Sequence, residues 1–152
     1  MELAAAYERE RGWEAADVSE GFGPAWATEA VTARDPRIHL RHMDYVSRDS
    51  THEHYRFVEF KSRSTSGPVD INGRQRSAFE SLGDEAWLYV VFNCRAAWDQ
   101  AVTDPYLIAV AEPRRLPWYE APGGGWQVTS ETVVEAGERV FSRPPSAATM
   151  RR

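Results

Sequence analysis

Hydrophobic positions along this chain change period several times, and each change marks an element. Tyr55 to Ser62, YRFVEFKS, alternates, with Phe57, Glu59 and Lys61 on one side and Val58 and Phe60 on the other. It reads as a strand, and the rest of the chain is organised around it. Trp87 to Asn93, WLYVVFN, is continuously apolar, which predicts a central strand buried on both faces. Tyr106 to Ala111 predicts another strand, closed by Glu112-Pro113. Helical spacing appears twice. Glu2 to Arg11 places Leu3, Ala6 and Tyr7 on one stripe, with Gly12 as the stop. Asn72 is a natural N-cap for a helix from Gly73 to Leu82, whose Phe79 and Leu82 share a face.

Shorter segments fill the intervals. Trp13 to Val18 and Val69 to Ile71 predict brief strands, and Ser19 to Pro24 predicts a loop. Trp26 to Val31 fits a strand or a short helix, and the window does not decide. Ile38, Leu40, Met43 and Tyr45 predict extended structure through Ser47. Arg48 to His54 is polar throughout, so it should be the loop of a hairpin leading into YRFVEFKS. Antiparallel pairing of Met43–Ser47 with Tyr55–Glu59 would bring the Asp44 carboxylate near Glu59. Leu116 to Tyr119 should pack back on the body, Gly123 to Gly125 is a break, and Trp126 to Val134 predicts a last strand and a helical turn. Cys94 is expected to be a small core residue. Residues 142–152, rich in proline, serine and alanine, are expected to be disordered.

Composition narrows the classes. A chain of 152 residues that is 42% hydrophobic, with six each of Trp, Tyr and Phe, can bury a proper core in one domain. A net charge of −5 excludes a uniformly basic nucleic-acid binder, although arginines cluster within Arg34–Arg48, Arg56–Arg63 and Arg74–Arg76. The single cysteine excludes an internal disulfide and any multi-cysteine metal site, which points to a reducing, cytoplasmic setting. The charged N-terminal stretch has no apolar signal core, and no apolar run is long enough for a membrane span.

Candidate chemistry follows from the strand. Glu59 and Lys61 lie about 6–7 Å apart along one face. At that reach a carboxylate can hold a divalent cation while an ammonium sits beside the same water or phosphate. The same pair also occurs on ordinary solvated strand faces. If Asp44 shares the face with Glu59, the two carboxylates need a cation or protons to relieve their repulsion; otherwise they point apart. His52-x-His54 has strand spacing in a loop, with nothing to complete a zinc site, so solvated loop histidines are the better reading.

In order and spacing these motifs resemble the PD-(D/E)xK, restriction-endonuclease-like superfamily, in which an Asp precedes a hairpin and a Glu-x-Lys follows it. More narrowly, the chain is similar to the C-terminal domain named after the plant protein NO VEIN, often attached to prokaryotic helicase-like proteins, including defence-associated ones. The residues that carry the match are Ala6-Tyr7-Glu8 with Gly12, Asp17-Val18-Ser19, Met43-Asp44-Tyr45-Val46-Ser47, Phe57-Val58-Glu59-Phe60-Lys61, Trp87-Leu88-Tyr89-Val90-Val91, and Leu107-Ile108-Ala109-Val110 with Glu112-Pro113. They span about residue 3 to 118, within a nuclease-like domain at 1–120. Residues 121–141 would be a C-terminal extension. Three features depart from the pattern. Phe22 to His42 reads as an insertion, Ser62 stands where the family commonly has glycine, and another alignment places Trp26-Ala27 at the motif Asp.

The resemblance implies an α/β (α+β) fold with a mixed central sheet flanked by helices. It implies that Asp44 and Glu59, with the Phe60 carbonyl, hold Mg²⁺ or Mn²⁺ and that Lys61 orients or deprotonates a water. Gln75 would position that water, and Glu8 would give a supporting or additional metal contact. Arg63, Arg74 and Arg76 would contact DNA phosphates. The implied function is metal-dependent phosphodiester hydrolysis on DNA in a helicase-associated defence or repair system. The alternative is an inactive nuclease-fold module that binds DNA ends, modified DNA or a protein partner.

Overall fold

The computed structural model describes residues 2–63, 67–92 and 105–140. Expectations for Cys94 and for the 142–152 tail lie outside these residues. Helix α1 (Glu2–Glu10) ends before Gly12, whose φ of +74° suits glycine, and strand β1 (Glu14–Asp17) follows. The undecided window is helical. Pro24 caps α2 (Ala25–Arg34), which buries Ala27, Ala30 and Val31. The extended reading of Ile38–Ser47 is corrected in its first half. Leu40–His42 is a 3₁₀ turn, and β2 runs only from Tyr45 to Arg48. Burial explains the difference, because Ile38, Leu40 and Met43 all face the core, and spacings of two then three residues suit a turn rather than a pleat.

The strand β3 occupies Tyr55–Ser62, as its alternation predicts. It pairs antiparallel with β2, Tyr45 opposite Val58, and parallel with β5 (Ala86–Phe92), Glu59 opposite Leu88. Between them run β4 (Val69–Ile71) and α3 (Gly73–Leu82), the crossover that a parallel pair requires. Strand β6 (Tyr106–Ala111) extends the sheet antiparallel to β5. The six-stranded sheet has the order β1-β2-β3-β5-β6-β9, and β9 spans Glu138–Val140.

Residues 121–140, within the expected extension, belong to the body. β8 (Trp126–Val128) pairs with β4 and with β7 (Tyr119–Glu120) in a small second sheet. Helix α4 (Ser130–Ala136) leads into β9, which edges the main sheet. Gly124 and Gly125 both adopt positive φ in the turn between β7 and β8, and a Cβ on Gly125 would stand 2.8 Å from the Ile71 carbonyl oxygen. The triglycine is therefore a tight turn against β4 rather than a break.

Side-chain alternation divides the core between the two sheet faces. Val46, Phe57, Leu88, Val90, Ile108 and Val110 pack on one side with α2, α3 and Val133 of α4. Tyr45, Val58, Tyr89, Val91 and Leu107 pack on the other with Ala4 and Tyr7 of α1. The architecture is thus a mixed central sheet with helices on both faces. Among the described residues no helix is long and apolar enough to cross a membrane.

Candidate active site

Asp44 lies one residue before β2, where its backbone N–H donates to the Val58 carbonyl at 2.9 Å. Its side chain reaches across the hairpin and accepts the Phe60 N–H at Oδ2, 2.8 Å away. Glu59 points from the neighbouring pleat toward α3 and is only 6% exposed. Burial, and then repulsion from Asp44, push the Glu59 carboxyl up to about 8, while burial also raises Asp44. The hairpin therefore brings two carboxylates near enough to repel one another in a partly dry setting.

Lys61 follows on the same face with its Nζ 3.5 Å from Glu59 Oε1. It is the only lysine in the chain, and every other basic side chain apart from the histidines is arginine. That signal was readable in the sequence and sharpens the assignment. A compact ammonium, not a planar guanidinium, therefore stands beside Glu59.

Gln75 completes the group through the cap of α3. Asn72 Oδ1 accepts the Gln75 N–H at 2.9 Å, and Gln75 Oε1 accepts the Asn72 N–H at 2.9 Å, the reciprocal pair of a capping box. The same Oε1 accepts from Lys61 Nζ at 3.4 Å, and Gln75 Nε2 donates to Glu59 Oε1 at 2.5 Å. A local helix-capping rule thus orients an amide that touches both Glu59 and Lys61.

Glu8 is not part of this group. It is 2% exposed, and its partners lie on the opposite face of the sheet. Arg11 Nη1 donates to both carboxylate oxygens at 2.9 and 3.1 Å, Ser47 Oγ donates at 2.6 Å, and the Tyr89 hydroxyl donates to Oε1. Tyr89 pairs in register with Phe60, whose side chain points away from Glu59. Glu8 anchors α1 to the sheet.

The three arginines assigned to phosphates divide. Arg63 is held by the Pro68 and Ser62 carbonyls and by Asp70, and Arg76 lies flat over the Trp126 ring at 3.4 Å. Arg63 is thus occupied by its own neighbourhood and β4, and Arg76 by β8 of the small second sheet, which arrives late in the sequence. Arg74 is exposed and makes no ion pair among the described residues, and the same holds for Arg41. Ala27, the other candidate for the motif position, is fully buried in α2 and bears no ligand atom.

A hard divalent cation fits the donor set. Asp44 and Glu59 offer only oxygen, and Mg²⁺ typically uses one or two carboxylates and keeps several waters. No group of three or more His, Cys, Asp or Glu placed to hold a metal ion of any kind occurs among the described residues, so the two carboxylates would leave most of the coordination to water. His54 pairs with Asp49 at 2.6 Å in the hairpin loop.

No protein-family model matches the chain, and its sequence matches no curated protein. Among solved structures, it is similar to a Holliday junction resolvase from the archaeal hyperthermophile Archaeoglobus fulgidus, at 13% identity over 88% of each chain and a TM-score of 0.48.

Proposed function

We propose that this chain is a divalent-metal-dependent nuclease acting on DNA, working in the cytoplasm within a helicase-associated defence or repair system. The observation that carries the chemistry is the convergence of Asp44, Glu59, Lys61 and Gln75 at one end of the β2–β3 hairpin. The helicase-associated setting comes from the NO VEIN-like resemblance alone.

Asp44 and Glu59, with the Phe60 carbonyl, would hold Mg²⁺ or Mn²⁺, which when bound offsets phosphate charge and acidifies a water. Lys61 donates to the attacking water or to a phosphoryl oxygen and stabilises the negative charge that grows there. Gln75 holds the Lys61 ammonium and the Glu59 carboxyl in one geometry, since its amide contacts both. Asp44 keeps the hairpin ends in register through the Phe60 N–H.

The second reading is a nuclease-fold module that binds DNA or a protein partner without cleaving. It is favoured by the net charge of −5 and by Glu59, whose Oε1 already faces both Gln75 and Lys61. Calorimetric titration of Mg²⁺ and Mn²⁺ into the wild type and Glu59→Gln, followed by incubation with labelled DNA, separates the two. Saturable binding and metal-dependent cleavage, both lost in the variant, are expected for a nuclease. Absence of both in the wild type would sink that reading.

A further inference from the structure

Phe22 is the most exposed large hydrophobic side chain among the described residues, at 69%. The loop that carries it is pinned on both sides. The Gly21 N–H donates to the Val18 carbonyl at 2.8 Å with φ +90°, and a Cβ on Gly23 would stand 2.7 Å from the Val18 side chain. The backbone therefore holds the ring outward, at a cost in solvation that a buried ring would avoid.

Two hollows share Ile38 in their lining, and Phe22 borders the smaller. A hollow of about 230 Å³ runs from Gly21–Gly23 to His39 and Leu40. Beyond Ile38, which lines both, an open groove of about 930 Å³ continues past His42 to Arg74 at the start of α3. Arg41 packs its Cβ 3.4 Å from the Cβ position of Gly21, beside the Phe22 loop, and its exposed side chain makes no ion pair among the described residues. His42 lies two residues before Asp44, and Arg74 lies one residue before Gln75. An exposed ring, an arginine beside its loop and a second arginine in the adjoining groove thus accompany the two hollows, and neither arginine has an ion pair among the described residues.

We infer that Phe22 is a stacking platform for an unpaired base of the nucleic-acid substrate, with Arg41 and Arg74 taking the adjoining phosphates. The inference rests on the nucleic-acid part of the function proposed above. A ring and unpaired cations along a groove are what a single-stranded segment uses, because every base has a π-face and every linkage a charge. A base inside a continuous duplex has its faces covered by its neighbours, so the substrate is nucleic acid with a single-stranded or splayed position.

Oligonucleotides carrying 2-aminopurine at an unpaired position test this, in EDTA so that binding is read without cleavage. The wild type should quench the probe and bind the single-stranded form more tightly than the continuous duplex. Phe22→Ala should abolish the quench and weaken binding about 5- to 100-fold, and Phe22→Trp should retain both. Circular dichroism confirms that each variant is folded. Affinity and quench unchanged in Phe22→Ala, or retained in Phe22→Leu, would overturn the platform and leave the ring to a protein contact. Binding with the quench intact but no cleavage after Mg²⁺ is added would remove the nuclease chemistry and keep the platform. Failure of the wild type to bind any oligonucleotide would end both.

Discussion

A buried glutamate lies against each face of the sheet, Glu8 from α1 and Glu59 from β3, and the two are treated in opposite ways. Glu8, on α1, accepts from a guanidinium, a serine hydroxyl and a tyrosine hydroxyl. Glu59, beneath α3, has one amide donor, an ammonium at 3.5 Å and a second carboxylate for a neighbour. Burial is nearly equal, so desolvation does not separate them. What separates them is compensation. A fully donated carboxylate is a structural fastening, whereas an under-donated pair is a place where positive charge is still needed.

Removing each carboxylate should therefore give opposite results. Glu8→Ala leaves Arg11 without its partner and two hydroxyls without an acceptor, and should cost about 3–5 kcal/mol of stability. Glu59→Gln should leave the metal-free protein as stable or more stable at pH 8, while metal-dependent cleavage falls by more than about 10²-fold. Thermal melts in EDTA and a cleavage assay read the two effects. Equal destabilisation by both substitutions would break the contrast.

The contrast also has a pH signature. The folded-state value of Glu59, about 8, lies above its ordinary value of 4.5, so the folded protein holds the extra proton between them. Stability in EDTA should be highest below pH 4.5, as far as this group is concerned, and should decline as pH rises through 8 by a few kcal/mol at most. Asp44, also raised, acts in the same direction. Saturating Mg²⁺ should reverse the trend, because cation binding requires the deprotonated carboxylates. Melting temperatures measured from pH 5 to 9, with and without Mg²⁺, test this, and Glu59→Gln should flatten both curves.

Smaller effects sharpen the comparison. Asn72→Ala removes the cap of α3 at a cost of about 1 kcal/mol, and it also frees Gln75 from its anchor. Cleavage should then fall by about tenfold without loss of fold, a drop that an ordinary helix cap would not produce. Smallest of all, Arg41→Gln and Arg74→Gln should each lower the salt dependence of DNA binding by about one phosphate contact. The same changes at Arg63 and Arg76 should leave the salt dependence alone, because those guanidiniums are already engaged.

Much of this was legible where the determinants are local. The alternation of YRFVEFKS fixed the bounds of β3 and the face of Glu59 and Lys61, and the Asn72 cap located α3 with Gln75 beside them. Hairpin geometry offered Asp44 as a neighbour of Glu59, with the two carboxylates pointing apart as the alternative. Determinants that arrive from far along the chain were not legible. Nothing near Glu8 announces that Tyr89 and Ser47 will meet it, and nothing near Arg76 announces Trp126. Residues 121–141 looked like an extension because β9 is too short to show a period, yet it edges the main sheet. The Trp26–Val31 window lacked a clear apolar period, and its helix is defined by packing and by the bidentate Arg34–Glu85 pair.

The solitary lysine gives the molecule an unusual chemical address. Lys61 supplies the only side-chain amine, so amine-selective reagents have one side-chain target, and it lies at the candidate active site. Reductive methylation with isotopically labelled formaldehyde would place a single side-chain reporter there without a substitution and with the charge kept. Its resonance would respond to the ionisation of Glu59 and to the arrival of a cation or a phosphate. One residue choice, made against seventeen arginines, thus turns the site into a position that can be observed directly in solution.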